Sequence, residues 1–196
     1  MNKSTINIII ILAVITLIAM LIIGGYNKLV RLNEDVKAQW GNVENQYQRR
    51  GDLIPNLVAT VKGYATHESA TFESVVAARS RATQVTIDPA NLTPEKMQEF
   101  QNAQGQLGAA LGRLIMLQEN YPDLKANQNF MSLQVQLEGT ENRIATERTR
   151  FNDVAALYNK SRKSFPNILL ANMFGFEEKP YFAAEEGNEK VPEVQF

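Results

Sequence analysis

Twenty-four consecutive residues, Ser4 to Asn27, carry no charge, and their centre from Ile6 to Ile23 reads INIIIILAVITLIAMLII. Only Asn7 and Thr16 interrupt the apolar run. As a helix, at about 1.5 Å per residue, those 18 residues cover roughly 27 Å, close to the hydrocarbon thickness of a bilayer. A cleaved signal peptide has a shorter apolar region and a small-x-small cleavage site. Here the run passes into Gly24-Gly25-Tyr26-Asn27 instead. Residues 1–25 are therefore expected to form an N-terminal tail and an uncleaved single-pass anchor that contacts the lipid bilayer through residues 6–23. Lys3 and the N-terminal amine oppose Lys28, Arg31 and Lys37, so the positive-inside rule gives no clear orientation. A short lysine-bearing tail ahead of an apolar run resembles a signal anchor, which places the rest of the chain on the exported side of the inner membrane.

Beyond the anchor the apolar residues recur at helical spacing. Tyr26, Leu29, Val36, Trp40, Val43 and Tyr47 form one stripe, broken only by Asn33. No strong turn signal separates them from the anchor, so the membrane helix is expected to continue outward, bent if anywhere at Gly24-Gly25. A break is expected near Arg50-Gly51-Asp52, with Pro55 in the first turn of the next helix, where proline is tolerated. That second helix would carry Ile54, Leu57, Val61 and Tyr64, and continue through His67-Glu68-Ser69 to Phe72, Val75, Val76 and Ala82. Asp88-Pro89 marks a loop, and Thr93-Pro94-Glu95 has the cap, proline and acid of a helix start. Phe100, Ala103, Leu107, Leu111, Leu114 and Leu117 define a third helix. Phe130, Leu133, Leu137, Ile144, Phe151, Val154 and Tyr158 define a fourth, and a short helix through Ile168 to Phe174 closes the domain.

No strand-like alternation occurs. The expected architecture is all-α: a transmembrane helix running into an elongated antiparallel, up-and-down four-helix bundle over residues 26–176. Residues 177–196 hold six Glu against two Lys, with Pro180, Gly187 and Pro192. They are expected to be an acidic, extended and flexible tail with no part in packing.

The sequence is poor in chemistry-bearing patterns. Cysteine is absent, which excludes disulfides, thiolate metal sites and a cysteine nucleophile. The formal charge of −1 argues against a nucleic-acid partner. His67 is the sole histidine, and Thr71 stands where H-E-x-x-H requires a second one. No nucleophile elbow presents a serine. No catalytic residue, metal ligand, cofactor or small-molecule substrate is identified and no enzyme is expected; a hydrolase using carboxylates alone is a remote alternative. Gly105, Gly108 and Gly112 read as small residues for close helix packing, and Trp40 reads as core. Glu138/Glu141, Glu141/Arg148 and Arg143/Glu147 read as solvated helix-face pairs. One cluster is less routine: Arg49, Arg50 and Asp52 gather two guanidinia and a carboxylate at the first inter-helix break. They form a candidate interaction site for an anionic headgroup or a partner's carboxylate. The competing and preferred reading is structural, with Asp52 capping the second helix and the arginines clamping it.

The segment YQRRGDLIPNLVATVKGYATHE at Tyr47–Glu68 resembles the signature of the LemA family of bacterial membrane proteins. Tyr26–Trp40, Tyr121–Phe130, Thr140–Asn159 and Met173-Phe174-Gly175-Phe176 resemble further blocks of the same family. The resemblance implies a single-pass anchor, an elongated helical bundle with a long first helix, and no established catalysis or cofactor. A relative in that family takes part in building magnetosomes, which implies a membrane-scaffolding role. The expected function is a membrane-anchored scaffold or interaction module, with self-association or membrane-protein partners. A bilayer-contacting, membrane-organising protein is the alternative.

Overall fold

The computed structural model of the chain describes residues 3–183, and within them every regular element is a helix. The first, α1, runs from Lys3 to Lys62 without interruption. At 1.5 Å per residue it is about 90 Å long. Residues 4–23 are exposed on all sides, and this is the one described helix long and apolar enough to cross a membrane. After a connection at residues 63–68 come α2 (Ser69–Gln84), α3 (Pro94–Met116), the single turn α4 (Pro122–Lys125), α5 (Gln128–Lys163) and α6 (Asn167–Phe174).

The break expected at Arg50–Asp52 is absent, and Pro55 lies inside α1. Proline supplies no N–H, so the carbonyl four residues earlier, at Gly51, loses its intrahelical donor. Arg79 of α2 replaces it, donating its Nε–H to the Gly51 oxygen at 2.9 Å. The chain turns instead at residues 63–68, where continuity was expected. His67 is exposed in that turn, and Tyr121 donates its hydroxyl to Glu68 across it at 3.1 Å.

From that turn α2 descends beside α1, and α3 climbs back along α2. Arg113 donates to Ser74 at one end of that pair and Gln104 donates to the Ala82 carbonyl at the other. Thr93 caps α3 as expected, accepting from the Lys96 N–H, and Pro94 occupies the first position. Asn127 caps α5 by accepting from the Phe130 N–H at 2.9 Å. α5 then returns toward the anchor against α1, with Gln39 donating to both the side chain and carbonyl of Glu147.

The expected stripes are buried at Val36, Trp40, Val43, Ile54, Leu57, Leu107, Leu111, Leu114, Phe130, Leu137, Ile144 and Phe151. Tyr26, Tyr64 and Val76 depart from their stripes and are exposed. The buried residues divide into clusters. A distal one centres on Leu57, Leu114 and Phe130, and a middle one on Trp40, Phe100 and Phe151. A small cluster of Leu29, Leu170 and Ala171 lies next to the anchor. At Gly25 an added Cβ would come within 2.7 Å of Leu170 Cδ1 and 2.8 Å of Asn167 Oδ1. The second glycine of the pair is thus a point of close approach for α6.

The tail expectation fails for its first residues. Gly175, in the left-handed region at φ 72°, ends α6, and the chain then lies antiparallel along α5. Tyr158 donates its hydroxyl to the Glu177 carbonyl at 2.8 Å. Asn159 brackets Lys179, donating to its carbonyl and accepting from its N–H. Asn152 does the same for Phe182. Phe182 is buried, stacked on Trp40 at 5.9 Å between ring centroids and edge-on to Phe151 at 5.4 Å. Residues 177–183 are therefore extended but packed, because two asparagine amides and an aromatic slot replace the helical periodicity that signals packing elsewhere. The remainder of the expected tail, 184–196, lies outside the described residues.

Two measurements test this strap. Phe182→Ala lowers the unfolding free energy of the full chain by about 3 kcal/mol in a denaturant titration, the usual cost of truncating a buried aromatic; an unchanged midpoint would mean that the strap is not docked. Burial also pushes the Tyr158 hydroxyl up to about 12 from its ordinary value of 10. A raised phenol favours the protonated folded state, so its contribution is fully present below pH 10 and is lost as pH rises through about 12. Stability accordingly falls over that interval, and Tyr158→Phe flattens this part of the profile while costing about 1 kcal/mol at neutral pH.

Candidate functional site

Arg50 sits on the inward face of α1 between Tyr47 and Ile54, so its guanidinium enters the interior between the middle and distal apolar clusters. It is 4% exposed. Its Nη1 donates to Glu141 of α5, at 2.9 Å to Oε1 and 3.3 Å to Oε2. Its Nη2 donates to Gln104 of α3, at 2.5 Å to Oε1 and 3.2 Å to the backbone carbonyl. Gln104 in turn donates to the Ala82 carbonyl at the end of α2. The guanidinium carbon lies 5.1 Å from the centre of the Tyr47 ring, within cation–π range. One side chain thereby links α1 to α3 and α5 directly, and to α2 through Gln104.

The three residues of the candidate interaction site do not share a location. Arg49 and Asp52 are exposed on the outer side of α1, and Arg50 is buried. Asp52 lies mid-helix rather than at a helix start, so the capping role expected of it has no structural basis. Glu141, read from sequence as a solvated helix-face residue, reaches across to Arg50.

Beside this polar layer a groove of about 640 Å³ opens between α3 and α5, with Arg50 and Tyr47 of α1 on its floor. Gly105, Gly108 and Gly112 line its α3 wall, and Glu138, Glu141, Asn142 and Arg148 line its α5 wall. A Cβ added at any of those glycines meets nothing within 4 Å. The expected close packing is therefore absent at all three, which face open space in the groove. Sequence spacing placed the three glycines correctly on one helical face, but only the packing of α3 on α2 shows that the face is unopposed. Among the described residues no group of three or more His, Asp or Glu side chains is arranged to hold a metal ion.

The LemA family profile matches residues 39–196, which contain the whole polar layer and the groove. The chain belongs to the LemA family. Its relatives include the magnetosome protein MamQ of Magnetospirillum gryphiswaldense, 27% identical over 93% of this chain and 74% of that protein. Magnetosome protein MamQ 2 of Paramagnetospirillum magneticum is 29% identical over 88% of this chain and 69% of its own. Protein LemA of Metamycoplasma hominis is 21% identical over 84% of this chain and 71% of its own. The family profile and the name of the Metamycoplasma hominis relative match the family read from the Tyr47–Glu68 segment.

The two adjacent arginines give a direct test of this geometry. Arg50→Gln removes the link between three helices and leaves Glu141 and Gln104 without it, costing about 3 kcal/mol in denaturant unfolding. Arg49→Gln, on the exposed side, shifts stability by less than about 0.5 kcal/mol. Equal effects from the two changes would contradict the placement of Arg50.

Proposed function

We propose that this LemA-family chain is a single-pass scaffold or interaction module of the bacterial inner membrane. In this reading α1, α2, α3 and α5 act together as an elongated antiparallel, up-and-down four-helix bundle on the exported side. The observation that carries it is the unbroken α1, in which one helix holds both the lipid-length apolar run and the buried residues from Leu29 to Val61. From Ile23 to Lys62 the helix rises about 58 Å, so the anchor is rigidly joined to a long lateral surface. Two relatives bear names that assign them to the magnetosome, which supports a role tied to membranes. Arg50 belongs to the framework of that body, and exposed Arg49 and Asp52 remain as the contact points offered to a partner. No reaction is assigned to the chain.

The test is the assembly state of the full-length protein in its membrane. Cross-linking in intact membranes, followed by mild-detergent extraction and light scattering, is expected to give a discrete oligomer or a defined complex with another membrane protein. Arg49→Gln with Asp52→Asn is expected to weaken that association without changing the melting temperature. A monomer with no cross-linked partner would overturn the proposal.

A further inference from the structure

The segment after α5 carries an apolar face that nothing in the described chain covers. From Ser164 to Phe176 there is no charge. α6 buries Asn167, Leu170 and Ala171 against the base of α1. Its opposite side presents Ile168, Leu169 (61% exposed) and Met173 (64%), with Asn172 the one polar residue among them, and Phe165 (82%) is exposed in the turn just before the helix. Phe174 is half-exposed and meets Tyr26 edge-on at 4.9 Å between ring centroids.

The position of α6 identifies what covers this face. Its contact on α1 is Gly25, two residues past Ile23, the last residue of the apolar run. Two residues of helix rise by about 3 Å, whereas the headgroup layer of each leaflet is several ångströms deep. A helix docked at Gly25 is therefore level with the boundary between acyl chains and headgroups. Exposed Lys28 and Arg31 on α1 and Lys160 at the end of α5 stand nearby in sequence, with charged ends long enough to reach the phosphates while their stems stay apolar; Lys163 beside them is paired with Glu178. A short apolar face with basic residues beside it is the arrangement of helices that lie in the interface plane.

We propose that α6 is a second membrane contact, an interfacial helix whose Ile168, Leu169 and Met173, together with Phe165 in the turn before it, insert into the lipid surface of the leaflet from which α1 emerges. The inference rests on the reading of α1 as a membrane span. It adds a site to that reading, with a lipid surface as its ligand.

The absence of cysteine makes any introduced thiol a unique attachment point. Full-length single-cysteine variants Leu169→Cys, Met173→Cys, Ile15→Cys and Val135→Cys, each carrying an environment-sensitive fluorophore, are reconstituted in vesicles of phosphatidylethanolamine and phosphatidylglycerol. All four positions are exposed, and unchanged circular dichroism confirms the fold of each variant. Labels at Leu169 and Met173 are expected to emit blue-shifted light and to be quenched most by lipids spin-labelled near the headgroup. Ile15 is quenched most by lipids labelled deep in the acyl chain, and Val135 by neither. Quenching at Ile15 together with solvent-like emission at Leu169 and Met173 would overturn this inference and leave the span intact. Failure to quench Ile15 would overturn the span and this inference with it. Blue-shifted emission at Leu169 that no lipid quencher reaches would show that protein, such as a second copy of the chain, covers the face, and would equally overturn it.

Discussion

The buried guanidinium of Arg50 is the constraint around which the helices are arranged. A charge taken out of water is costly unless its donors are matched, and the two terminal nitrogens of Arg50 find acceptors on Glu141 of α5 and Gln104 of α3, while its buried Nε has none. Each acceptor must arrive at the level of α1 that lies between Tyr47 and Ile54. A four-residue slip would bring Leu137 or Ala145 in place of Glu141, and Phe100 or Gly108 in place of Gln104, against the guanidinium and leave the charge unpaired. The apolar clusters above and below are made of interchangeable Leu, Val, Ile and Phe contacts that discriminate weakly between such registers. The polar layer supplies the discrimination. Glu141 keeps substantial contact with solvent, its side chain being 42% exposed, so the pair avoids part of the desolvation cost of a fully enclosed ion pair.

A second long-range donor accounts for the length of α1. Pro55 would normally end or kink a helix, and the Arg79 side chain from α2 supplies the hydrogen bond that proline withdraws from Gly51. The continuity of α1 thus depends on α2 being docked, and the docking of α2 depends on a carbonyl that only the proline exposes. Local sequence and tertiary packing stabilise each other here. Hinges are absent from the stretch between the apolar run and the turn at residues 63–68, so displacement at one end of that helix is carried to the other.

This dependence explains what the sequence revealed and what it concealed. The apolar run, the Leu107–Leu111–Leu114 stripe and the Thr93 cap are local patterns, and each is found where its pattern places it. The supposed break at Arg50–Asp52 was misleading because glycine and proline are local helix breakers whose remedy, Arg79, lies 28 residues away. Asp52 has the chemistry of a cap but no helix start to cap. The strap at residues 177–183 has no periodicity because it pairs with asparagine side chains, not with a helical groove. Its only local trace is Asn152 and Asn159, seven residues apart and hence on one face of α5. The groove was hidden for a different reason: three glycines on one face are equally suited to close packing and to leaving space, and the position of α3 relative to α5 decides between them.

The strap and α6 also change how the anchor and the body are related. A lone spanning helix can tilt within the bilayer at little cost, since nothing packs against its exposed, mostly apolar 4–23 surface. The body it carries would then lean freely toward or away from the membrane surface. α6 is held to α1 at Gly25 and continues through Gly175 into the strap, which is fixed to α5 as far as Phe182. With the apolar residues of α6 and its leading turn in the lipid surface, tilting α1 away from the α6 side would lift Phe165, Leu169 and Met173 into water, and each exposed apolar side chain opposes that by roughly 1 kcal/mol or more. The body is thereby given a preferred orientation as well as a tether. In the proposed reading, a fixed tilt sets the height above the membrane at which each level of the body meets its neighbours.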